Sequence, residues 1–407
     1  MLRPTSARLF TSTSRSLAGS TSAIDSSAIV FVEHGSPTQV LQSRQYRLPE
    51  LEAGQVRLRF ELGAINPADI NVIQGVYPSK PVVRQDLGGI SIMGNEGVAT
   101  VEGFLEDGTV ENKLKVGDKV VMGSAQLGTW ASHANIPFTS LIPLPSSHSL
   151  THEQSATLAI NPPTAYRMLT DFIPLNPHEQ PSSSSDSSSE KKKKKSKRKQ
   201  WIIQNGSNSA VGQSVIQLCR EWGIGTINLV RDRPSIDSLK KELKGLGADH
   251  VLTYEEFLSR DSNVRKQIKE WVGKEDGELL LGLNCVGGKE TTEMAKLLGV
   301  GGKLVTYGGM AKTALSIPPS LFIFKKLTST GFWLSNWTQT HPVERISMMN
   351  YLSDLVSQGK LKEPDTKVVA LQGTDEEVEK TIKGVMEELE VGRSGKKVLL
   401  RWQDEKK

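Results

Sequence analysis

The chain has 407 residues, 37% of them hydrophobic, and a formal charge of +5. That length accommodates two domains of ordinary size, each with its own core. No run approaches the ~20 consecutive apolar residues of a membrane-spanning helix, and Cys219 and Cys285, each inside an apolar run, make neither a disulfide framework nor a structural zinc site.

The positive charge is concentrated. Residues 1–24 carry +3 and residues 179–199 carry +5, so with +5 overall the remaining body carries −3. A mildly acidic body argues against a nucleic-acid-binding face.

In chain order, residues 1–24 hold Arg3, Arg8 and Arg15 among many Ser and Thr, with no acid before Asp25. Arginine enrichment together with acid exclusion is the composition of a mitochondrial transit segment; an ordinary loose terminus is the alternative. From residue 28 to about 160, short apolar runs alternate with Gly and Pro. Strands are expected at Ile29–Val32, Val56–Phe60, Val98–Val101 and Lys119–Met122, with Val56-Arg57-Leu58-Arg59-Phe60 alternating as a half-buried strand does. Such a series reads as a compact β-rich domain. Within it, Asn66–Pro78 and Met93–Gly97 read as loops shaped by Pro and Gly.

Residues 176–200 combine a serine tract with Lys191 to Lys195, Lys197, Arg198 and Lys199. This composition buries no apolar surface and reads as a disordered, solvated insertion. A nuclear-localisation or RNA-binding patch is the alternative, but no aromatic residue is interleaved.

The stretch Trp201–Gly212 turns an apolar run through Gly206 into a helical pattern with Val211, Val215, Leu218 and Trp222 on one face. A strand, a small-residue turn and a helix N-terminus together cradle a dinucleotide pyrophosphate. The glycine pattern is imperfect: Asn208 takes the middle position and Gly212 comes one residue late. Further strands are expected at Thr226–Val230, His250–Thr253, Leu279–Cys285, Lys303–Tyr307 and Ser329–Trp333. Helices at Ser235–Leu246 and Lys289–Leu298 lie between them. This rhythm predicts an α/β doubly wound parallel sheet over residues 161–344. Ile346, Met349, Leu352 and Leu355 share one helical face, and strands at Lys367–Ala370 and Lys397–Leu400 are expected to return, with residues 345–401, to the first domain.

The second strand of such a sheet reads the cofactor ribose at its end. Here it ends Val230-Arg231-Asp232-Arg233. Asp232 suits a 2′-hydroxyl, whereas Arg231 and Arg233 suit a 2′-phosphate and favour NADPH. A solvated turn before Pro234 is the plain alternative.

Asn66–Pro78, Gly94–Gly97, Asn161–Tyr166, Gln204–Gly212, Arg231–Pro234, Leu283–Gly288 and Tyr307–Met310 occur in this order. Jointly they resemble the mitochondrial trans-2-enoyl-thioester reductases of the zinc-free medium-chain dehydrogenase/reductase superfamily. The resemblance spans about residues 28 to 401 apart from the Ser/Lys insertion. It implies a GroES-like catalytic domain at 28–160 beside the cofactor domain and a homodimer in the mitochondrial matrix. The implied activity is NADPH-dependent reduction of enoyl-acyl-carrier-protein or enoyl-CoA thioesters in mitochondrial fatty acid synthesis.

The resemblance also implies site residues. Asn161 stands beside the nicotinamide end, and Asn208, Ser209, Ala210 and Val211 form the pyrophosphate turn. Arg231 and Arg233, flanking Asp232, read the 2′-phosphate. Tyr307, Gly308, Gly309 and Met310 form the nicotinamide wall. Phe332, Trp333 and Leu334 match a Phe-Trp-Val cofactor contact, and Lys396 matches a C-terminal cofactor lysine. Zinc-dependent relatives carry Gly-His-Glu where this chain has Gly94-Asn95-Glu96. With no histidine there and no cysteine before Cys219, a Cys/His zinc site is not expected in the first domain.

The acid is expected to be Tyr77. A phenol with a reference pKa of about 10 holds its proton near neutral pH, and Pro78 stiffens its backbone. Taken alone, Tyr77 reads more readily as a packed ring with a wet hydroxyl; the family's proposed proton donor lies in this same segment. Competing readings on this chain are a zinc-free quinone reductase, an NADPH-binding regulatory protein without turnover, and an RNA-binding protein.

Overall fold

The computed structural model describes residues 16–19, 21–106, 108–110, 113–173, 175, 199–259, 263–274, 277–390 and 395–403. Residues 1–15 of the proposed transit segment, and the insertion between 176 and 198, lie outside the described residues. The chain divides into two compact units, one formed by 1–146 with 367–407 and the other by 147–366.

The first unit is β-rich. Its larger sheet runs in the order Leu141–Pro143, Lys119–Met122, Glu96–Glu106, Gln55–Ala64, Lys397–Trp402, Thr366–Leu371. Ser16–Gly19 pairs antiparallel with the end of Glu96–Glu106, and His133–Pro137 pairs with Gln55–Ala64. A smaller sheet joins Gln42–Leu48, Ile24–Phe31, Ile90–Ile92 and Val83–Arg84. Val56, Leu58, Phe60, Ala99 and Val101 fill one core. Ile29, Ile73, Met93 and Trp130 fill another, together with Val378, Ile382 and Val398 from the C-terminal segment.

Two local expectations are corrected here. Arg57 does not face water between buried neighbours; it is fully buried. Its guanidinium donates to Asn135 Oδ1 at 2.6 Å, the Ser22 carbonyl at 2.9 Å and the Pro49 carbonyl at 2.8 Å, which meets the demand that buried polar groups be satisfied. The stretch after Asn66 is not a loop but a helix, Pro67–Ile73, with proline at its start. Proline is well placed at a first helical position because its missing N–H would have no partner there. The helix ends where Gly75 adopts φ +75°.

The second unit is a six-stranded sheet in the order His250–Thr253, Gly225–Val230, Gln200–Asn205, Glu278–Asn284, Lys303–Thr306, Thr328–Gly331. Every pairing in it is parallel. Parallel strands need crossover connections, and helices Ala210–Trp222, Ile236–Leu246, Val264–Gly273 and Gly288–Leu297 supply them. The α/β doubly wound class expected from the alternation is the one observed. Helix Pro342–Ser357 belongs to this unit; it buries Met349, Leu352 and Leu355, but Ile346 is exposed and Arg345 and Met348 take its place inward.

The strand order reverses between Gln200–Asn205 and Glu278–Asn284. Ligands in open α/β sheets bind outside the carboxyl ends of strands at this kind of switch point. The turn containing Gly206 leaves the first of these strands and Cys285 leaves the second.

Candidate active site

In the second unit, Gly206 has φ +61°, and a Cβ there would lie 2.4 Å from Cys285 Sγ. No other residue type fits without displacing the thiol. Gly212 is required by a different contact, since its Cβ would come 2.6 Å from the Ser207 carbonyl oxygen. The late glycine of the pattern therefore seats the helix against the turn. Ser209 caps the helix, its hydroxyl accepting from the Gly212 N–H at 3.1 Å. The Gln213 N–H closes the first intrahelical bond, to the Ser209 carbonyl at 2.8 Å. The amides of Ala210 and Val211 precede that bond and belong to the orphan donors of a helix start, where the dipole favours an anion. Asn208 uses its carbonyl to hold Gln213 Nε2 at 3.1 Å.

Buried side chains that the sequence reading missed hold this turn. The Gly206 N–H is not available to a ligand, because it donates to the Tyr254 hydroxyl at 3.0 Å. Burial pushes the Tyr254 phenol up to about 12, so the group keeps its proton. Asn205 Nδ2 donates to Asn284 Oδ1 at 2.8 Å, and that oxygen also accepts from the Gly287 N–H at 2.9 Å and Thr291 Oγ1 at 2.7 Å. This asparagine pair ties together the carboxyl ends of the two strands at the switch point. The only signal in the sequence is an asparagine closing each apolar run.

Arg231 and Asp232 are exposed beyond the end of Gly225–Val230, and Arg233 is half-buried. Arg233 Nε reaches the Arg231 carbonyl at 3.4 Å, at the limit of a hydrogen bond, which leaves its terminal nitrogens for other partners. Tyr307 follows strand Lys303–Thr306, and its N–H donates to the Asn284 carbonyl at 2.9 Å. The Tyr307 hydroxyl is buried beside Cys285 and Ser209 without a hydrogen bond of normal geometry. Burial holds this phenol well above its ordinary value. Gly308 lies against Cys285, and Gly309 and Met310 are exposed, with the Met310 N–H donating to the Cys285 carbonyl at 2.9 Å. Phe332 packs edge-on against Phe172 at 6.1 Å between centroids; Trp333 is exposed and Leu334 half-buried. Asn161 opens helix Asn161–Thr170, and its Nδ2 is buried without a partner.

Buried polar atoms without partners are costly. Asn161 Nδ2 and Tyr307 Oη are two such atoms among the described residues, and both sit on residues expected at the nicotinamide end. Together with the capped helix start and the Arg231–Arg233 pair, they fit a nicotinamide dinucleotide phosphate.

In the first unit, Tyr77 is half-buried against the core containing Ile73 and Trp130. Its N–H donates to the Asn71 carbonyl at 3.2 Å. Lys396 is exposed, whereas its neighbour Lys397 is half-buried with its side chain turned inward, Nζ bonded to Asn66 Oδ1 and 3.3 Å from Glu96 Oε2. Asn95 stands where zinc-dependent relatives have a histidine. Both ends of its amide are in use: Nδ2 donates to Asp69 Oδ1 at 2.7 Å and Oδ1 accepts from the Gln126 N–H at 2.7 Å. This donor set does not fit a zinc ion, and among the described residues no group of three His, Cys, Asp or Glu side chains is placed to hold a metal. Cys219 and Cys285 are both buried in the second unit with thiol pKa values raised by burial, that of Cys285 to about 11.

Comparison with known proteins places these features in a family. Residues 52–146 match the alcohol dehydrogenase GroES-like domain, and residues 210–349 match the family described as zinc-binding dehydrogenase. The mitochondrial enoyl-[acyl-carrier-protein] reductase of Schizosaccharomyces pombe is 37% identical over 348 residues, 85% of this chain and 87% of its own. The Homo sapiens protein of the same name is 39% identical over 357 residues, 88% of this chain and 85% of its own. Among solved structures, the Etr1p/NADP/crotonyl-CoA complex superposes with a TM-score of 0.81 at 33% identity, covering 93% of this chain and all of that one. The mitochondrial 2-enoyl thioester reductase Etr1p/Etr2p heterodimer from Candida tropicalis gives the same values. A putative NADPH:quinone reductase from Bacillus thuringiensis, at 20% identity and a TM-score of 0.72, shares the fold. At these identities and coverages, this chain belongs to the family of mitochondrial enoyl-[acyl-carrier-protein] reductases.

Proposed function

We propose that the chain is an NADPH-dependent reductase of trans-2-enoyl thioesters, carried on acyl-carrier protein or CoA, in mitochondrial fatty acid synthesis. The observation that carries this reading is the similarity to Etr1p, solved with NADP and crotonyl-CoA and covered along its whole length at 33% identity. The enzyme is mitochondrial, in line with the names of its relatives.

NADPH supplies the hydride when bound. The Ala210 and Val211 amides at the N-terminus of helix Ala210–Trp222 would hold its pyrophosphate, and Arg231 and Arg233 would hold its 2′-phosphate. Asn161 and Tyr307 offer hydrogen-bonding atoms to the nicotinamide end. Hydride delivery to the substrate Cβ leaves negative charge on the thioester oxygen, and hydrogen-bond donors aimed at that charge lower the barrier. Tyr77 supplies the proton that completes the saturated product at Cα.

The assembly we infer is a homodimer. Strand Thr328–Gly331 ends the sheet with one paired neighbour, and the helix before it exposes Ile323 (67%) and Phe324 (77%). Exposed strand edges and apolar patches attract partners. The Etr1p/Etr2p protein is a heterodimer, so sedimentation of the purified chain alone decides whether two identical copies suffice.

The deciding assay follows NADPH oxidation by the purified protein with crotonyl-CoA and, separately, with a quinone. Turnover of crotonyl-CoA with little on the quinone supports the reading. The reverse result, or NADPH binding without turnover of either, overturns it.

A further inference from the structure

The first unit contains a buried polar chain that the proton-donor assignment does not use. Asp69, fully buried on helix Pro67–Ile73, accepts from the Asn66 N–H at 2.7 Å through Oδ2 and from Asn95 Nδ2 at 2.7 Å through Oδ1. Asn95 Oδ1 accepts from the Gln126 N–H at 2.7 Å, and Gln126 Nε2 donates to the Ser79 carbonyl at 3.3 Å. The same helix reaches Tyr77 from the other side, because the Asn71 carbonyl accepts both the Val76 N–H at 3.0 Å and the Tyr77 N–H at 3.2 Å. Segment Tyr77–Ser79 is therefore held at Tyr77 by the helix that carries Asp69 and at Ser79 by the hydrogen-bonded chain through Gln126 and Asn95 to Asp69.

Gln126 is unusual in a second way. Its φ is +63°, a left-handed conformation that a residue with a long side chain rarely adopts. Such strain persists only where the surroundings over-determine it. Here the conformation directs the backbone N–H at Asn95 while the side chain reaches Ser79. Asn95 in turn occupies a motif position where a zinc-dependent relative carries a histidine.

We propose that Asp69, Asn95 and Gln126 are positioning residues that fix segment Tyr77–Ser79, and with it the phenol of Tyr77, in the register needed for proton donation. This inference rests on the reading of Tyr77 as the donor. None of the three residues transfers the proton. Each acts by limiting where the phenol can lie, and a displacement of about 1 Å in a reacting group can cost 10²-fold in rate.

Asn95 and Asp69 are buried, and variants there risk losing the fold. Gln126 is half-buried, so Gln126→Ala and Gln126→Glu are the informative changes; both remove the donor to the Ser79 carbonyl and keep the backbone bond to Asn95. Each is measured for melting temperature, NADPH affinity by fluorescence titration, and kcat with crotonyl-CoA, alone and combined with Tyr77→Phe. The expected result is a fall in kcat of ~10–100-fold, with NADPH affinity and melting temperature close to wild type. On the Tyr77→Phe background the same change should lower kcat less than twofold, since residues acting through one group are not additive. The same fold loss on both backgrounds, or no loss on the wild-type background, overturns the positioning role. A Tyr77→Phe enzyme that keeps the wild-type rate overturns the donor reading instead, and is recognised before any Gln126 variant is considered.

Discussion

Lys397 and Glu96 face each other in the interior of the first unit, Nζ to Oε2 at 3.3 Å, with side-chain exposures of 8% and 0%. One comes from the last strand of the chain and the other from the Gly94–Gly97 motif. Asn66 bridges them, donating from Nδ2 to Glu96 Oε2 at 2.9 Å while its Oδ1 accepts from Lys397. Removing one partner from a buried pair leaves an uncompensated charge, at a cost of about 3–5 kcal/mol. Lys397→Met should therefore lower the denaturation midpoint sharply, and adding Glu96→Gln should recover much of the loss. A single variant as stable as wild type would show that the pair contributes nothing.

Asp69 gives the first unit a pH dependence of definite sign. Burial raises its carboxyl to about 6; the Asn66 N–H, Asn95 and Lys397 oppose the shift, and Glu96 reinforces it. A raised carboxyl binds its proton more tightly in the folded state. Its contribution to stability is then fully present below about pH 4 and lost as pH rises through about 6. The integrated effect is on the order of 3 kcal/mol. Urea unfolding of wild type and Asp69→Asn between pH 4 and 7 should show the wild type losing ground to the variant across this window. Parallel profiles would remove Asp69 as the source.

Arg231 and Arg233 should decide between the two nicotinamide cofactors. Charge-assisted hydrogen bonds to phosphate contribute about 1.5–3 kcal/mol each, with the lower end fitting an exposed residue such as Arg231. Replacing both by alanine should weaken NADPH binding by ~10²-fold or more while NADH binding changes little. Titration with both cofactors reads this directly, and equal losses would move the 2′-phosphate contact elsewhere.

Tyr77→Phe should lower kcat with crotonyl-CoA by ~10²–10⁴-fold, the range of a positioned general acid. NADPH affinity should stay near wild type. A folded variant with the wild-type rate would make Tyr77 a packing residue.

Strand Ser16–Gly19 lies within the segment that composition assigns to import, yet it pairs with Gly103–Glu106. Residues 1–24 fused to a fluorescent protein should still direct it to mitochondria, and diffuse cytosolic fluorescence would count against import. A chain starting at Ser16 should melt about 2–4 °C above one starting at Ile24, for each kcal/mol the strand contributes. Equal melting temperatures would make the strand dispensable.

The parallel sheet was legible because most of its strands carry a short apolar run between helical patterns; Thr328–Gly331, which reads Thr-Ser-Thr-Gly, is the exception. The glycine turn was legible for the same reason, although the cause of its odd spacing, the contact of Gly212 with Ser207, was not. Arg57 misled because alternation reports side-chain direction but not what waits on the polar side, here two carbonyls and an amide oxygen. Helix Pro67–Ile73 was hidden by a proline that suits a helix start as well as a loop. Tyr254 and Gln126 gave no pattern at all, since each acts as a single polar residue whose partner lies far away in sequence, and Asn205 and Asn284 showed only as asparagines closing apolar runs. Lys396 was singled out from a short match; it is exposed, and the contact with Glu96 is made by the adjacent Lys397.

The strand Lys397–Trp402 lies between Gln55–Ala64 and Thr366–Leu371 in the sheet of the first unit. Within the unit that carries Tyr77, Gln55–Ala64 is thus synthesised long before Lys397–Trp402, the strand that pairs with its end. At synthesis rates of about 5–20 residues per second, that interval is on the order of tens of seconds. Unit 147–366 is complete before then. The incomplete first unit meanwhile presents Gly63 and Ala64 without their partners in Lys397–Trp402 and a core lacking Val378, Ile382 and Val398. It is therefore the part of the nascent chain that chaperones should occupy longest, and a premature stop just before Lys397 should yield an aggregating protein with an intact nucleotide-binding half.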